Sequence, residues 1–320
     1  MRLVRWLAPA LVAQLLACAS APPVRYPEPD RGASRPLALL GDPQRTLWVE
    51  RLIGREQNDE ARAALVQDLG AQRPGLVVLL GDLTNDGGSQ SEWKRFDELF
   101  APIRGAGIPM LALLGNHDYW GRKEEALANA TARFPQLGQK RWYLRAFGRL
   151  ALVLLDSNEP QLGEARWKEQ RDWYRGTLAA LDGDPAVAGV LVLAHHPPYT
   201  NSRTTGDEEH VQRAFLPAFF AARKTLAFVT GHAHAYERFE ERGRTFVVSG
   251  GGGGPRVTLL AGADARHRDL HSAGSPRPFH YLLVEQDPSG ARVTVRGLET
   301  GDSEARVIDR FELPFAASGK

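Results

Sequence analysis

The chain has 320 residues, 40 Lys and Arg against 38 Asp and Glu, and a single cysteine, which excludes an intrachain disulfide and any thiolate zinc cluster. Its hydrophobic content of 43% with 24% charged residues belongs to a globular protein and argues against wholesale disorder. The surplus of two positive charges is carried by Arg2 and Arg5, ahead of any acid, so the rest of the chain balances and lacks the basic excess that DNA or RNA as main partner demands.

At the N-terminus, Arg2 and Arg5 precede an apolar stretch from Trp6 to Ala17, and small residues follow, which is the layout of a secretory signal. The stretch contains Pro9 and Gln14 and falls short of the roughly 20 residues a membrane-spanning helix needs. Leu15, Leu16 and Ala17 lead directly into Cys18, a run that resembles the lipobox of bacterial lipoproteins. The resemblance implies residues 1–18 as a signal ending in a lipidated cysteine, and a chain exported from a bacterial cell and held to a membrane. Without lipidation the product is periplasmic or secreted. Residues 19–36 carry five prolines and no periodicity, as suits an extended tether.

From Leu37 short apolar runs recur: 37–40, 76–80, 110–114, 150–155, 190–194 and 226–230, each the length of a strand buried on both faces. Segments with helical spacing lie between several of them, at 58–72, 91–104, 164–181 and 208–222. After His234 the pattern becomes strand-rich, at 237–241, 244–248, 256–260, 281–285, 293–296 and 307–313. The expectation is one α/β domain over residues 37–313 with a short tail, 314–320.

Five of these runs end in polar side chains: Gly41-Asp42; Gly81-Asp82 through Asp86; Gly115-Asn116-His117-Asp118; His195-His196-Pro197-Pro198; and Gly231-His232-Ala233-His234. The C-terminal edge of an open α/β sheet is where ligands bind. Asp, Asn and His without cysteine suit Mn, Fe, Zn or Mg rather than soft metals. They outnumber the needs of one tetrahedral ion, and two ions sharing a carboxylate fit displacement at phosphorus, with hydroxide as the attacking group. Gly-Asp alone says little, since it recurs at Gly183, Gly206 and Gly301; the ordered combination is informative.

That combination resembles the calcineurin-like metallophosphoesterase superfamily, and GHAHAYER at 231–238 with HHPPY at 195–199 is most similar to its purple acid phosphatase-like branch. The resemblance implies a four-layer αββα sandwich of two mixed β-sheets flanked by helices. It implies Asp82 bridging two divalent or trivalent metals, Asp42 and His234 completing the first site, and Asn116, His195 and His232 completing the second. His117 would be the general acid. The first motif departs from the family, with Gln44 where many relatives have a metal-binding histidine, and Asn85 where purple acid phosphatases have a tyrosine. Gln44 through its amide oxygen, or a water, is left as the fourth ligand. Asn85 also replaces the aspartate that orients the catalytic histidine in protein serine/threonine phosphatases, so Asp86 or Asp118 is expected to take that part. His196, Arg203 and Tyr236 are candidate substrate contacts, with Tyr199 and Thr204 nearby. His210, His267, His271 and His280 are expected to be solvated. The glycines at 250–254 mark a turn against another backbone or the floor of the cleft. Three functions follow, one of them a mononuclear hydrolase that uses only the second site and holds one metal per chain. Another is a two-metal phosphoesterase acting on small phosphate esters, as monoesterase or as diesterase on cyclic nucleotides and other diesters. The last is a non-catalytic binding protein with a weakened first metal site.

Overall fold

The computed structural model describes residues 34–138, 140–271 and 273–316. The signal-like segment with Cys18, most of the proline-rich tether and residues 317–320 lie outside the described residues. In chain order the elements are β1 (Leu37–Leu40), α1 (Trp48–Leu52), α2 (Asp59–Ala71), β2 (Leu76–Leu80), α3 (Gln90–Leu99), α4 (Ala101–Gly105), β3 (Met110–Leu113), α5 (Lys123–Arg133), β4 (Tyr143–Phe147), β5 (Leu150–Leu154), α6 (Glu159–Gly183), β6 (Gly189–Leu193), α7 (Glu209–Ala221), β7 (Thr225–Thr230), β8 (Tyr236–Glu241), β9 (Arg244–Ser249), β10 (Phe279–Gln286), β11 (Gly290–Leu298) and β12 (Arg306–Pro314).

They form two six-stranded sheets, ordered β12-β11-β10-β1-β2-β3 and β4-β5-β6-β7-β9-β8. Both are mixed: β1, β2 and β3 run parallel, as do β5, β6, β7 and β9, while the remaining pairs are antiparallel. The alternation of the second sheet explains the layering. Leu191 and Leu193 of β6 join the core shared with the first sheet, while Val190 and Val192 join the core beneath α6 and α7. The same division separates Leu152 from Val153 on β5 and Val247 from Phe246 on β9. Leu39, Leu191, Val229 and Val293 meet at the seam between the sheets. On the far side of the first sheet lie α2, α3 and α4, through Leu65, Leu69, Trp93, Phe96 and Ile103. Full burial of such side chains is worth about 1.5–3 kcal/mol each, so both faces of the central strands must be covered, and the apolar runs read as continuous for that reason. The arrangement is the expected α/β sandwich of two mixed sheets between helices.

Differences from the sequence expectation are local. The helix expected over 91–104 divides at Phe100 into α3 and α4, with Pro102 in the first turn of α4, where the missing N–H costs nothing. β4 is an edge strand with an exposed face, and its interspersed charge hides it in the sequence. Residues 256–260 are not a strand. Val257 and Leu259 are buried, but the segment makes a single bridge, Ser202 to Leu259, and is tied down by Arg256 pairing with Glu56 and Glu299. Its alternation records a docked loop rather than a ladder. Among the described residues no helix is long and apolar enough to cross a membrane.

Candidate metal centre

The C-terminal ends of β1, β2, β3, β6 and β7 converge where the two sheets meet. Asp42, Asp82 and His232, immediately past three of those ends, all adopt positive φ, of 57°, 51° and 67°. Left-handed backbone on a non-glycine residue costs about 1 kcal/mol or more, and three such residues in one place mark a site that the rest of the fold holds in position. The motif glycines are required sterically: a Cβ on Gly115 would lie 2.1 Å from Asp82 Oδ1, and one on Gly231 2.3 Å from Asp42 Oδ2.

Two clusters result. Asp42, Asp82 and His234 bring one ligand atom each within 4.8 Å of one another, and so do His195, His196 and His232. Asn116 belongs with the second, its Oδ1 3.1 Å from His195 Nε2. Asp82 lies between them: Oδ1 is 3.4 Å from His195 Nε2, and Oδ2 is 3.2 Å from Gln44 Nε2. Every expected metal ligand is therefore in one place.

The outer hydrogen bonds set which ring nitrogens face inward. His195 Nδ1 lies 2.9 Å from the Leu80 carbonyl and His234 Nδ1 2.9 Å from the Pro255 carbonyl, so each donates there and turns Nε2 to the centre. His232 turns Nδ1 inward, 3.2 Å from His195 Nε2, while its Nε2 lies 3.7 Å from Glu208. Nε2 of His195, Nδ1 of His232 and the amide oxygen of Asn116 thus converge beside the Asp82 carboxylate, a set of donor atoms that a cation could share. Burial works against ionisation of both partners, yet the imidazoles of His195, His117 and His232 hold Asp82 well below the usual carboxylate range. The attraction of Asp82 overcomes burial to push His195 up to about 10. Burial and the neighbouring His195 push His232 down to about 3. The Gln44 amide is buried with Oε1 unpartnered, although its Nε2 reaches Asp82 and His234. Turned over, the amide would bring this unpartnered oxygen to the side of Asp82 and His234 that Nε2 now faces, which is how Gln44 would serve as the fourth ligand that the sequence left open. The donor set as a whole fits a pair of hard-to-borderline ions.

His117 lies at the edge of the clusters. Its Nε2 is 4.0 Å from Asp82 Oδ2, and its Nδ1 is 3.1 Å from the main-chain carbonyl of Asn85. The expectation that Asp86 or Asp118 orients His117 is corrected here. Asp118 is fully buried and accepts from the backbone N–H groups of Leu83, Thr84 and Gly115, stapling the loop after β2 to the loop after β3. Burial raises its pKa well above the usual range. Asp86 accepts from Gly88 N. The orienting group is Asn85 after all, through its carbonyl rather than its side chain.

His196 lines a cleft of 440 Å³ beside the second cluster. Ser157 Oγ accepts from the His195 and His196 amides and lies 2.8 Å from His196 Nδ1, so the hydroxyl proton goes to Nδ1 and Nε2 keeps its hydrogen. Burial holds this imidazole well below its ordinary pKa. It is a neutral imidazole on the cleft, beside His195 and His232. The other two candidate contacts do not reach this cleft. Arg203 is exposed on the loop after Thr200. Tyr236 is buried with its hydroxyl on Asp309, because the first residue of β8 points toward β12. Tyr199 packs on Phe246 and His267 instead, and Thr204 bonds to Ser202. The glycines at 250–254 pack against the site: Gly252 and Gly254 donate to the carbonyls of Gly41 and Asp42, and a Cβ on Gly254 would meet the His234 ring.

Several site residues escaped the sequence reading. The run 150–155 ends in Asp156-Ser157-Asn158, the same signal as the other five runs. Glu208 and His210 flank the cleft at the start of α7, with His210 held between the Ser157 carbonyl and Glu208 rather than solvated. His280 is also buried, not solvated, and His267 and His271 are partly so.

Next to Tyr236, the carboxyl of Glu237 is buried and accepts from Thr200 Oγ1 at 2.5 Å and Asn201 N at 2.8 Å, clamping the loop that follows His196. Burial pushes its pKa from 4.5 up to about 7. Between those values the unfolded chain has lost the proton and the folded chain keeps it, so stability falls as pH rises, by roughly 3 kcal/mol across the window. Glu237→Gln should flatten that part of the stability–pH curve measured by urea unfolding. An unchanged slope would reject the assignment.

The sequence profile described as calcineurin-like phosphoesterase matches residues 35–236. Among its relatives, a probable cyclic nucleotide phosphodiesterase of Synechococcus sp. is 29% identical over 79% of this chain and 86% of its own. Purple acid phosphatase 22 of Arabidopsis thaliana is 27% identical over 65% of this chain and 49% of its own. The purple acid phosphatase PPD1 of yellow lupin seeds superposes with a TM-score of 0.65 at 20% identity, over 90% of this chain and 55% of the lupin chain. This chain thus spans about half the length of the plant purple acid phosphatases it matches. With the fold, the paired clusters and this profile in agreement, the chain belongs to the calcineurin-like phosphoesterase family and is a metal-dependent phosphoesterase.

Proposed function

We propose that the protein is an exported, lipid-anchored hydrolase of small phosphate esters, with His117 as general acid. The observation that carries the chemistry is the position of Asp82 between the two clusters, with His117 Nε2 facing the same carboxylate. Asp42, Asp82, His234 and Gln44 would hold one ion, and Asp82, Asn116, His195 and His232 the other. When bound, such a pair supplies charge neutralisation at phosphorus and an acidified water. A neutral amide oxygen in place of an imidazole at the first position favours harder ions such as Mn or Mg.

The chain's own groups do the rest. His196 Nε2–H donates to a phosphate oxygen. As the oxygen of water bonds to phosphorus and the P–O bond to the leaving group breaks, His117 gives the leaving oxygen its proton, and the proton that the water sheds to solvent restores His117 for the next turnover. The Asn85 carbonyl holds Nδ1, so Nε2 is the atom that transfers it. Export and anchoring are supported by the signal-like residues 1–18 and by Cys18 after its lipobox-like run. Monoester hydrolysis is the reading closest to the purple acid phosphatase relatives. Diester hydrolysis, cyclic nucleotides included, is the second reading and is favoured by the Synechococcus relative.

The soluble part, beginning at residue 19, should be stripped of metal, reloaded with Mn, Zn, Fe or Mg, and assayed on p-nitrophenyl phosphate and its bis-ester side by side. Metal-dependent turnover is expected, and the ratio of the two rates separates monoesterase from diesterase. Folded protein that turns over neither ester with any metal would sink the catalytic reading in favour of a binding protein on this scaffold.

A further inference from the structure

We propose that Trp120 forms a stacking platform for a nucleobase on the leaving-group side of the cleft, which makes nucleotides the substrate class. The inference rests on His117 being the group that protonates the leaving oxygen.

Large aromatic side chains elsewhere in the molecule are mostly buried, as Trp93, Trp142 and Trp167 are, whereas Trp120 is 48% exposed. A lone exposed aromatic says little; its position is what matters. The Trp120 ring lies on the His117 imidazole, with centroids 3.7 Å apart and planes 32° from parallel. Its remaining surface lines the 440 Å³ cleft together with Asn116 and His232, from the second cluster, and with His196. The volume is that of a small-molecule site, about 300–1000 Å³. A phosphoryl group seated at the clusters has its leaving oxygen beside His117. The indole, stacked on His117 and part of the cleft wall, then stands next to whatever that oxygen carries.

A half-exposed indole at that point favours a flat, polarisable ring. Base–aromatic stacking is strong and tolerant of base identity. The same cleft is lined by Glu159 and Gln161. A carboxylate accepts from the exocyclic amine of a base, and an amide can both donate and accept, so the wall offers partners for a base edge as well as a surface for its face.

The test compares adenosine 5′-monophosphate with ribose 5-phosphate, the same phosphoester with and without a base. Wild type, Trp120→Ala and Trp120→Phe are measured in two ways: kcat/KM with metal reloaded, and Kd by calorimetry on the metal-free chain. Wild type should prefer the nucleotide by about tenfold, Trp120→Ala should lose that preference, and Trp120→Phe should keep it within about threefold, as expected for one base stack. An indole that only steadied His117 would, on removal, slow both esters equally and leave their ratio unchanged, which would overturn the proposal. So would a wild type with no preference for the nucleotide in either measurement, failure to bind both compounds included. Base-dependent binding that survives without turnover of any ester would instead keep the subsite and sink the catalytic reading.

Discussion

Replacing His117 by alanine is expected to lower turnover about 10²–10⁴-fold, the range for loss of a positioned proton donor, while metal content stays unchanged. His117 is outside both ligand clusters, its Nδ1 is committed to the Asn85 carbonyl, and its Nε2 stands 4.0 Å from Asp82 Oδ2. It can therefore be removed without removing a ligand. The loss should also depend on the leaving group. Nitrophenolate departs without a proton, so p-nitrophenyl phosphate should suffer less than an alkyl phosphate ester. Metal analysis by mass spectrometry beside kinetics on both esters reads this directly. Equal losses on the two esters would remove His117 from the proton-donating step, and a fall in bound metal would make it a ligand.

Much of this site could be read from the sequence because its residues are local to strand ends. A buried parallel strand must be apolar throughout, and the first polar residues after it sit at the sheet's C-terminal edge. Asp42, Asp82, Asn116, His195, His232 and His234 therefore announced themselves one run at a time, and the structure brings them together. What could not be read depends on contacts between distant segments. Whether Asp118 or the Asn85 carbonyl meets His117 turns on how two loops stack, and no spacing rule encodes that. Tyr236 sits within the motif most similar to the purple acid phosphatases, yet strand alternation sends its hydroxyl to Asp309 on β12. The alternating Val257 and Leu259 look like a strand because a docked loop also buries every second side chain. The Asp156-Ser157-Asn158 end of β5 was legible by the rule that found the other motifs. Only the tertiary contact of Ser157 with two histidine amides reveals what it does.

The largest effect on metal binding is expected from Asp82→Asn. In the described structure Asp82 addresses both clusters, through Oδ1 toward His195 and the His117 amide and through Oδ2 toward Gln44. The amide nitrogen of an asparagine must point one of these ways, and it cannot coordinate a cation. The negative charge that would attract a cation to the buried site is lost as well. Removing a group that only supports a ligand costs about 10–100-fold in metal affinity, and a shared ligand should cost more, so the stoichiometry should fall from two ions per chain to one or none. Asp42→Asn touches the first cluster, and the His232 amide through its carboxylate, without offering an oxygen to His195. It should empty the first position and spare the second. Metal counts of the two variants after dialysis decide the matter. Equal losses from both would mean that Asp82 is no more shared between the ions than Asp42 is, and the bridging role would fall.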